Sequence, residues 1–225
     1  GGKSLCYEIP AYIFKGTTLV ISPLISLMKD QVDNLNSLGI NAAYISGGND
    51  FEEVKNIIRK FIKGEFKLLY VSPERLENKY FLDNIDKANI TQIVVDEAHC
   101  VSMWGHDFRK SYSKIKPFIC NLKKRPIITA FTATATEIVM KDSIELLGLH
   151  NPFIYKGSFS RDNLEINVLK EVDKLEIISE IISEHEEESG IIYCSTKNGV
   201  EELYKHMIYR GKSVGKYHGS LKDKE

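Results

Sequence analysis

Apolar residues fall into two patterns along this chain. Some form short continuous runs, and others recur every three or four positions in the stretches between. The runs at 18–21, 42–45, 67–71, 92–95 and 127–131 are too short for helices and read as strands buried on both faces. The stretches 25–38 and 51–61 read as helices. In the first, Leu27, Val32, Leu35 and Leu38 form an approximate apolar stripe. Strands alternating with helices predict an α/β fold, a parallel sheet flanked by helices that binds its ligands at the carboxyl ends of the strands. Lys3, Asp96 and Thr132 all follow or end strands in this reading, taking the strand ahead of Lys3 to lie before residue 1. They are therefore expected at one edge of the sheet.

The pattern changes after Asn151-Pro152. Residues 1–150 read as one domain, 151–164 as a linker and 165–225 as the start of a second domain. That second part opens with a strand at 165–169. Residues 171–188 carry eight acids against one lysine, with Leu175, Ile178, Ile181 and Ile182 as an apolar stripe, so an amphipathic helix with an acidic outer face is expected. A buried strand at 191–194 and a helix at 200–207 follow.

Composition adds exclusions more than identity. A chain of 225 residues can bury one good core and part of a second. No apolar run approaches the roughly 20 residues needed to span a membrane, so no membrane partner is expected. Cys6, Cys100, Cys120 and Cys194 are widely spaced with no C-x-x-C pair, which argues for free thiols in a reducing, intracellular compartment and against a zinc site. The net charge of −1 does not advertise nucleic-acid binding, but the stretch 109–125 holds seven basic residues and no acid.

The chemistry concentrates in two places. Residues 96–109 read Asp-Glu-Ala-His-Cys-Val-Ser-Met-Trp-Gly-His-Asp-Phe-Arg. Asp96 and Glu97 end an apolar run, an arrangement that offers one carboxylate to a magnesium ion and the next to an attacking water. Trp104, His106, Phe108 and Arg109 then crowd groups that stack on bases and pair with phosphates. The chain opens Gly1-Gly2-Lys3-Ser4, which fits the end of a phosphate-binding loop; Lys3 would neutralise the outer phosphates and the Ser4 hydroxyl would reach the metal. Lys-Ser lies roughly ninety residues ahead of the strand-Asp-Glu corner, the order expected of a nucleotide hydrolase.

With these segments in view, the chain resembles superfamily 2 helicases, and most closely the RecQ family of DNA helicases. Gly2-Lys3-Ser4 is similar to motif I, the segment 22–31 to motif Ia, Asp96-Glu97-Ala98-His99 to motif II (the DEAH box), Thr132-Ala133-Thr134-Ala135 to motif III and 191–196 to motif IV. Residues 100–109 resemble the aromatic-rich loop of RecQ proteins. Met103 stands where that family usually has Gln, and Lys110-Ser111 where Pro and an acid are common. Phe159, Arg161 and Asn163 in the linker, and Tyr217-His218-Gly219 further on, also look RecQ-like.

The resemblance implies a RecA-like P-loop fold and an ATP- and magnesium-dependent DNA helicase. Such an enzyme translocates 3′ to 5′ on single-stranded DNA, unwinds partly duplex DNA and serves repair or recombination, in the cytoplasm of a bacterium or the nucleus of a eukaryote. It implies nucleotide binding by Gly1, Gly2, Lys3 and Ser4, metal binding by Ser4 and Asp96, and catalysis by Lys3, Asp96, Glu97 and His99. Thr132 and Thr134 would couple the nucleotide and DNA sites. Ser22, Lys29, Gln31, Ser72, Arg75, Trp104, His106, Phe108, Arg109, Ser195, Thr196 and His218 would contact DNA. Later motifs, including an arginine that completes the site, would lie beyond Glu225, so these residues alone are expected not to unwind DNA. Two other readings stay open: a superfamily 2 ATPase acting on RNA, and a scaffold that binds nucleotide or DNA without catalysis. The Trp-Gly-His-Asp-Phe-Arg loop speaks against the first, and the retained Lys3, Asp96 and Glu97 against the second.

Overall fold

In the computed structural model, which describes residues 2–133, 135–157, 163–170 and 173–221, the strands of the first 155 residues form one sheet. β1 (Thr17–Ile21), β2 (Ala42–Ile45), β3 (Leu68–Val71), β4 (Ile90–Val95) and β5 (Ile127–Ala130) are all parallel, in the order β2-β3-β1-β4-β5. β1 and β3 are buried at every position, as expected of apolar runs covered by helices on both faces. The five strands predicted between residues 18 and 131 are present, with ends that differ by at most two residues.

The connecting helices are α1 (Leu5–Ile13), α2 (Ile25–Ser37), α3 (Phe51–Ile62), α4 (Lys79–Ile85), α5 (Ile115–Asn121) and α6 (Glu137–Leu147). α3 begins with a capping box. Asp50 accepts from the Glu53 amide, and the Glu53 side chain accepts from the Asp50 amide. α6 is capped at both ends, by Thr136 and by Gly148 in the left-handed region at φ +65°. α2 buries Met28, Val32 and Leu35. The expected stripe is thus corrected at two positions. Met28 replaces Leu27 as an anchor, and Leu38 caps the helix and is exposed, because the helix ends one residue earlier.

The sheet separates two apolar clusters. One gathers Leu19, Ile21, Ile58, Phe61, Ile93, Val95, Phe118 and their neighbours. The other gathers Tyr7, Ala11, Val20, Met28, Leu35, Tyr70 and Val94 under α1 and α2. Alternate residues of β1 and β4 supply both, so the sheet is covered on its two faces.

Residues 156–225 form a separate compact unit, which contains α7 (Lys174–Glu184) and α8 (Lys197–Tyr209). The expected strands at 165–169 and 191–194 are not formed. Both stretches lack ladder partners among the described residues, and Ile191 and Tyr193 are 80% and 91% exposed instead of buried. The stripe of α7 is also shallower than predicted, since Leu175 and Ile181 are exposed while Ile178 and Ile182 are half-buried.

Candidate nucleotide site and nucleic-acid loop

The strand register builds the acidic corner. Ile21 lies opposite Val95, so Ser22 and Asp96, one residue further on, leave the sheet side by side. The Asp96 amide donates to Ile21 O at 2.9 Å, and the Ser22 hydroxyl donates to Asp96 Oδ2 at 3.2 Å. Beneath them the buried Tyr112 hydroxyl donates to the carbonyl of Asp96 at 2.8 Å. Asp96 is only 7% exposed, and burial pushes its carboxyl above the usual range although Lys3 and Ser22 pull it down.

Glu97 turns the chain. It adopts the left-handed conformation, φ 45° and ψ 48°, which glycine takes freely and other residues avoid. The end of β5 grips both sides of this corner: Phe131 N donates to Val95 O at 2.9 Å, and Ala98 N to Phe131 O at 2.8 Å. The strained turn aims the Glu97 carboxylate between two partners. Its Oε1 accepts from Lys3 Nζ at 3.1 Å, and its Oε2 lies 3.3 Å from His99 Nδ1. Lys3 also reaches to 4.0 Å from Asp96 Oδ1.

His99 is buried and its pKa is lowered by that burial, which favours a neutral imidazole. Its Nδ1 is 2.8 Å from Thr132 Oγ1, so the loop that follows β5 meets the acidic corner through one ring. The other side of that ring is covered by His106, stacked at 4.3 Å and 18°. Gly2, Lys3, Ser4, Asp96, Glu97, His99 and Thr132 thus lie at the carboxyl end of the sheet or just ahead of α1, as the strand pattern predicts. Gly1 and Thr134 lie outside the described residues, as do Phe159 and Arg161 of the linker.

Past His99 the peptide changes character. Cys100, Val101 and Ser102 are buried, and burial pushes the Cys100 thiol up to about 11. Met103 and Trp104 then stand out, Trp104 with 76% of its surface exposed. Gly105 makes the reversal possible, since a Cβ there would lie 2.5 Å from His99 O. Phe108 is exposed, while the Arg109 guanidinium is occupied locally, donating to Asp107 Oδ2 at 3.1 and 3.0 Å and to Pro23 O at 3.4 Å. The Arg109 bonds to Asp107 hold its carboxyl below the usual range.

The remaining candidates for nucleic acid divide. Lys29 is exposed and Gln31 half-buried on α2. Ser72 is half-buried, and Arg75 donates to Ser46 O at 2.8 Å, burial lowering its pKa. In the second unit Ser195 is exposed, and Thr196 caps α8 by accepting from Gly199 N at 3.0 Å. His218 lies 2.9 Å from Glu201 Oε1; that contact and a bond from Lys216 hold the Glu201 carboxyl down at about 2.

Ser22, expected to touch nucleic acid, is buried, and its hydroxyl donates to Asp96. Four more cations of the basic stretch 109–125 have partners within the fold. Lys114 pairs with Glu77 and Lys123 with Asp86, while Lys116 and Arg125 donate to the carbonyls of Glu145 and Gly148. Tyr112 was not among the residues expected at the site, although a buried tyrosine hydroxyl usually finds a partner.

A family model for the DEAD/DEAH box helicases matches residues 1–142. The ATP-dependent DNA helicase RecQ of Bacillus subtilis is 42% identical over 223 residues, covering 99% of this chain and 38% of that protein. The ATP-dependent helicase SGS1 of Saccharomyces cerevisiae is 39% identical over 240 residues, covering 100% of this chain and 16% of that protein. This chain therefore spans well under half the length of these curated relatives. Among solved structures, the Mycobacterium smegmatis helicase Lhr bound to ssDNA and AMP-PNP aligns with a TM-score of 0.63 at 18% identity, covering 100% of this chain and 34% of that one. A likeness at that identity shows the fold alone, a RecA-like sheet flanked by helices.

Proposed function

Because the chain belongs to the DEAD/DEAH box helicase family, we propose that it forms part of the motor core of a RecQ-type DNA helicase, coupling ATP hydrolysis to 3′-to-5′ movement along single-stranded DNA and to duplex unwinding in repair or recombination. The observation that carries this reading is the Lys3–Glu97–His99–Thr132 chain of contacts, with the exposed Trp104 only five residues beyond His99. One short peptide thus joins a hydrolytic carboxylate to an aromatic that stacks on bases.

In this reading the exposed amides at the start of α1 and the Lys3 ammonium hold the nucleotide phosphates. Glu97 orients the attacking water and accepts its proton. The neutral His99 ring, between Glu97 and Thr132, relays the position of the loop to that carboxylate. Ser4 and Asp96 suit a magnesium ion. Asp96 is a buried carboxylate with its Oδ1 toward Lys3, and the Ser4 hydroxyl has no capping duty on α1. A carboxylate, a hydroxyl and substrate phosphates are the hard oxygen donors that ion takes. Bound there, it supplies charge neutralisation at the phosphates. Residues 1–150 are the first RecA-like domain, 151–164 the linker and 165–225 the start of a second domain of the same kind. Lys29, Gln31, Ser72, Arg75, Ser195, Thr196 and His218 are offered as backbone contacts to the tracked strand.

The test is ATP hydrolysis by the full-length protein alone, with single-stranded DNA and with single-stranded RNA, beside the Glu97→Gln variant. Turnover stimulated by DNA, and lost in the variant, is the expected result. Stimulation by RNA alone, or no turnover in folded protein that binds DNA, would overturn the reading.

A further inference from the structure

The exposed tryptophan is held from an unexpected direction. Ser102 is fully buried at the base of the aromatic loop, and its hydroxyl is engaged twice. It donates to Asp142 Oδ2 on α6 at 2.7 Å and accepts from the backbone N–H of Trp104 at 3.1 Å. A hydroxyl that donates to a carboxylate is polarised and becomes a better acceptor, so the two bonds reinforce each other. The next residue of α6, Ser143, donates its hydroxyl to Val139 O within the helix at 2.7 Å, and the same oxygen lies 3.4 Å from Ala98 O. α6 therefore holds the peptide beyond His99 through one bonded link, from Asp142 through the Ser102 hydroxyl to Trp104, while Ser143 packs beside Ala98 on the other side.

We propose that Ser102 and Asp142 are positioning residues which fix the stem of the aromatic loop to α6, so that contact made at Trp104 reaches Glu97 and His99 rather than being absorbed by movement of the stem. The side-chain bonds of both residues go to each other and to the Trp104 amide, not to Lys3, Asp96 or Glu97. Local geometry supports a stem that must be stiff. Ser102 N donates to His99 O at 3.1 Å and Gly105 N to Ser102 O at 3.0 Å, closing two successive tight turns. Any shift of Ser102 therefore moves both His99 and Gly105. Asp142 is half-exposed, so removing its partner leaves a carboxylate that water can serve, and the variants should fold.

The inference rests on the proposed DNA-stimulated ATPase, and its test separates the two. In the full-length protein, ATP hydrolysis with and without single-stranded DNA is measured for wild type, Ser102→Ala, Asp142→Ala and Asp142→Asn, with amide hydrogen exchange followed over residues 100–109. The two alanine variants are expected to keep the DNA-free rate within about twofold of wild type. Both should lose roughly tenfold in stimulation and exchange the loop amides about tenfold faster, the size expected when one hydrogen bond to a charged acceptor is lost. Asp142→Asn keeps an acceptor oxygen and should restore most of both properties. Wild-type stimulation and exchange in the alanine variants would overturn the proposal. So would DNA-free and stimulated rates that fall in parallel, because the bond would then merely support the fold. A wild-type protein without stimulation would instead count against the ATPase reading, while exchange would still report on the stem.

Discussion

Residues 96–102 and 103–108 are neighbours in one peptide, yet they are built on opposite principles. The first segment is anchored at nearly every residue: Asp96 by Ser22 and Tyr112, Glu97 by Lys3, Ala98 by Phe131, His99 by Thr132 and Ser102 by Asp142. The second presents Met103, Trp104 and Phe108 outward, with side chains that the fold does not need. Preorganised groups favour chemistry because they need no rearrangement when charge develops. Exposed aromatics favour recognition because their faces remain available. Within the second segment the chain reverses at Gly105, where no side chain fits.

The largest test of this division is Glu97→Gln. Turnover in a stimulated ATPase assay should fall by roughly 10²–10⁴-fold, the usual worth of a general base, with ATP affinity retained. Near-normal turnover would remove the anchored segment from the chemistry. Lys3→Ala comes next. Losing a charge-assisted contact should weaken nucleotide binding by about 10–100-fold in a titration, and wild-type affinity would mean the opening residues do not form a phosphate site. Trp104→Ala sharpens the contrast, since DNA stimulation should fall by about 5–100-fold from the loss of one stacked base. The melting temperature should stay close to wild type because the side chain is exposed.

The smallest effect concerns stability. Burial raises the Asp96 carboxyl, so the folded state holds that proton more tightly than the unfolded chain does. Stability therefore declines as pH rises from the ordinary carboxylate range through the raised value. Asp96→Asn should stabilise the nucleotide-free protein at neutral pH by roughly 0.5–2 kcal/mol while abolishing turnover. The advantage should vanish in melts run below the ordinary carboxylate range. A loss of stability at neutral pH would show that the bonds from Ser22 and Lys3 outweigh the cost of burial.

How legible the molecule was from its sequence depended on where each apolar run found neighbours. Ile93-Val94-Val95 and Ile191-Ile192-Tyr193 look alike as sequence. The first lies between β1 and β5 and is wholly buried, whereas the second has no ladder partner among the described residues and faces water. Periodicity reports an appetite for burial, and pairing decides whether it is met. The acidic corner was legible because Asp96 follows a strand directly and Lys3-Ser4 opens a helix. Ser22 was half-legible, since its place after β1 brought it to the right edge, but only the Ile21–Val95 register shows it beside Asp96. The Ser102–Asp142 bond joins residues 40 apart, and nothing in local patterning announces a pair at that separation.

The left-handed backbone at Glu97 has a consequence for the protein's freedom to change. Glycine or asparagine would adopt φ 45° at lower cost than glutamate. A library of this protein selected only for thermal robustness should therefore drift toward glycine or asparagine at position 97. One selected for nucleotide turnover should drive the same position back to glutamate. The conflict between the two selections would mark the reacting centre without any ligand in view.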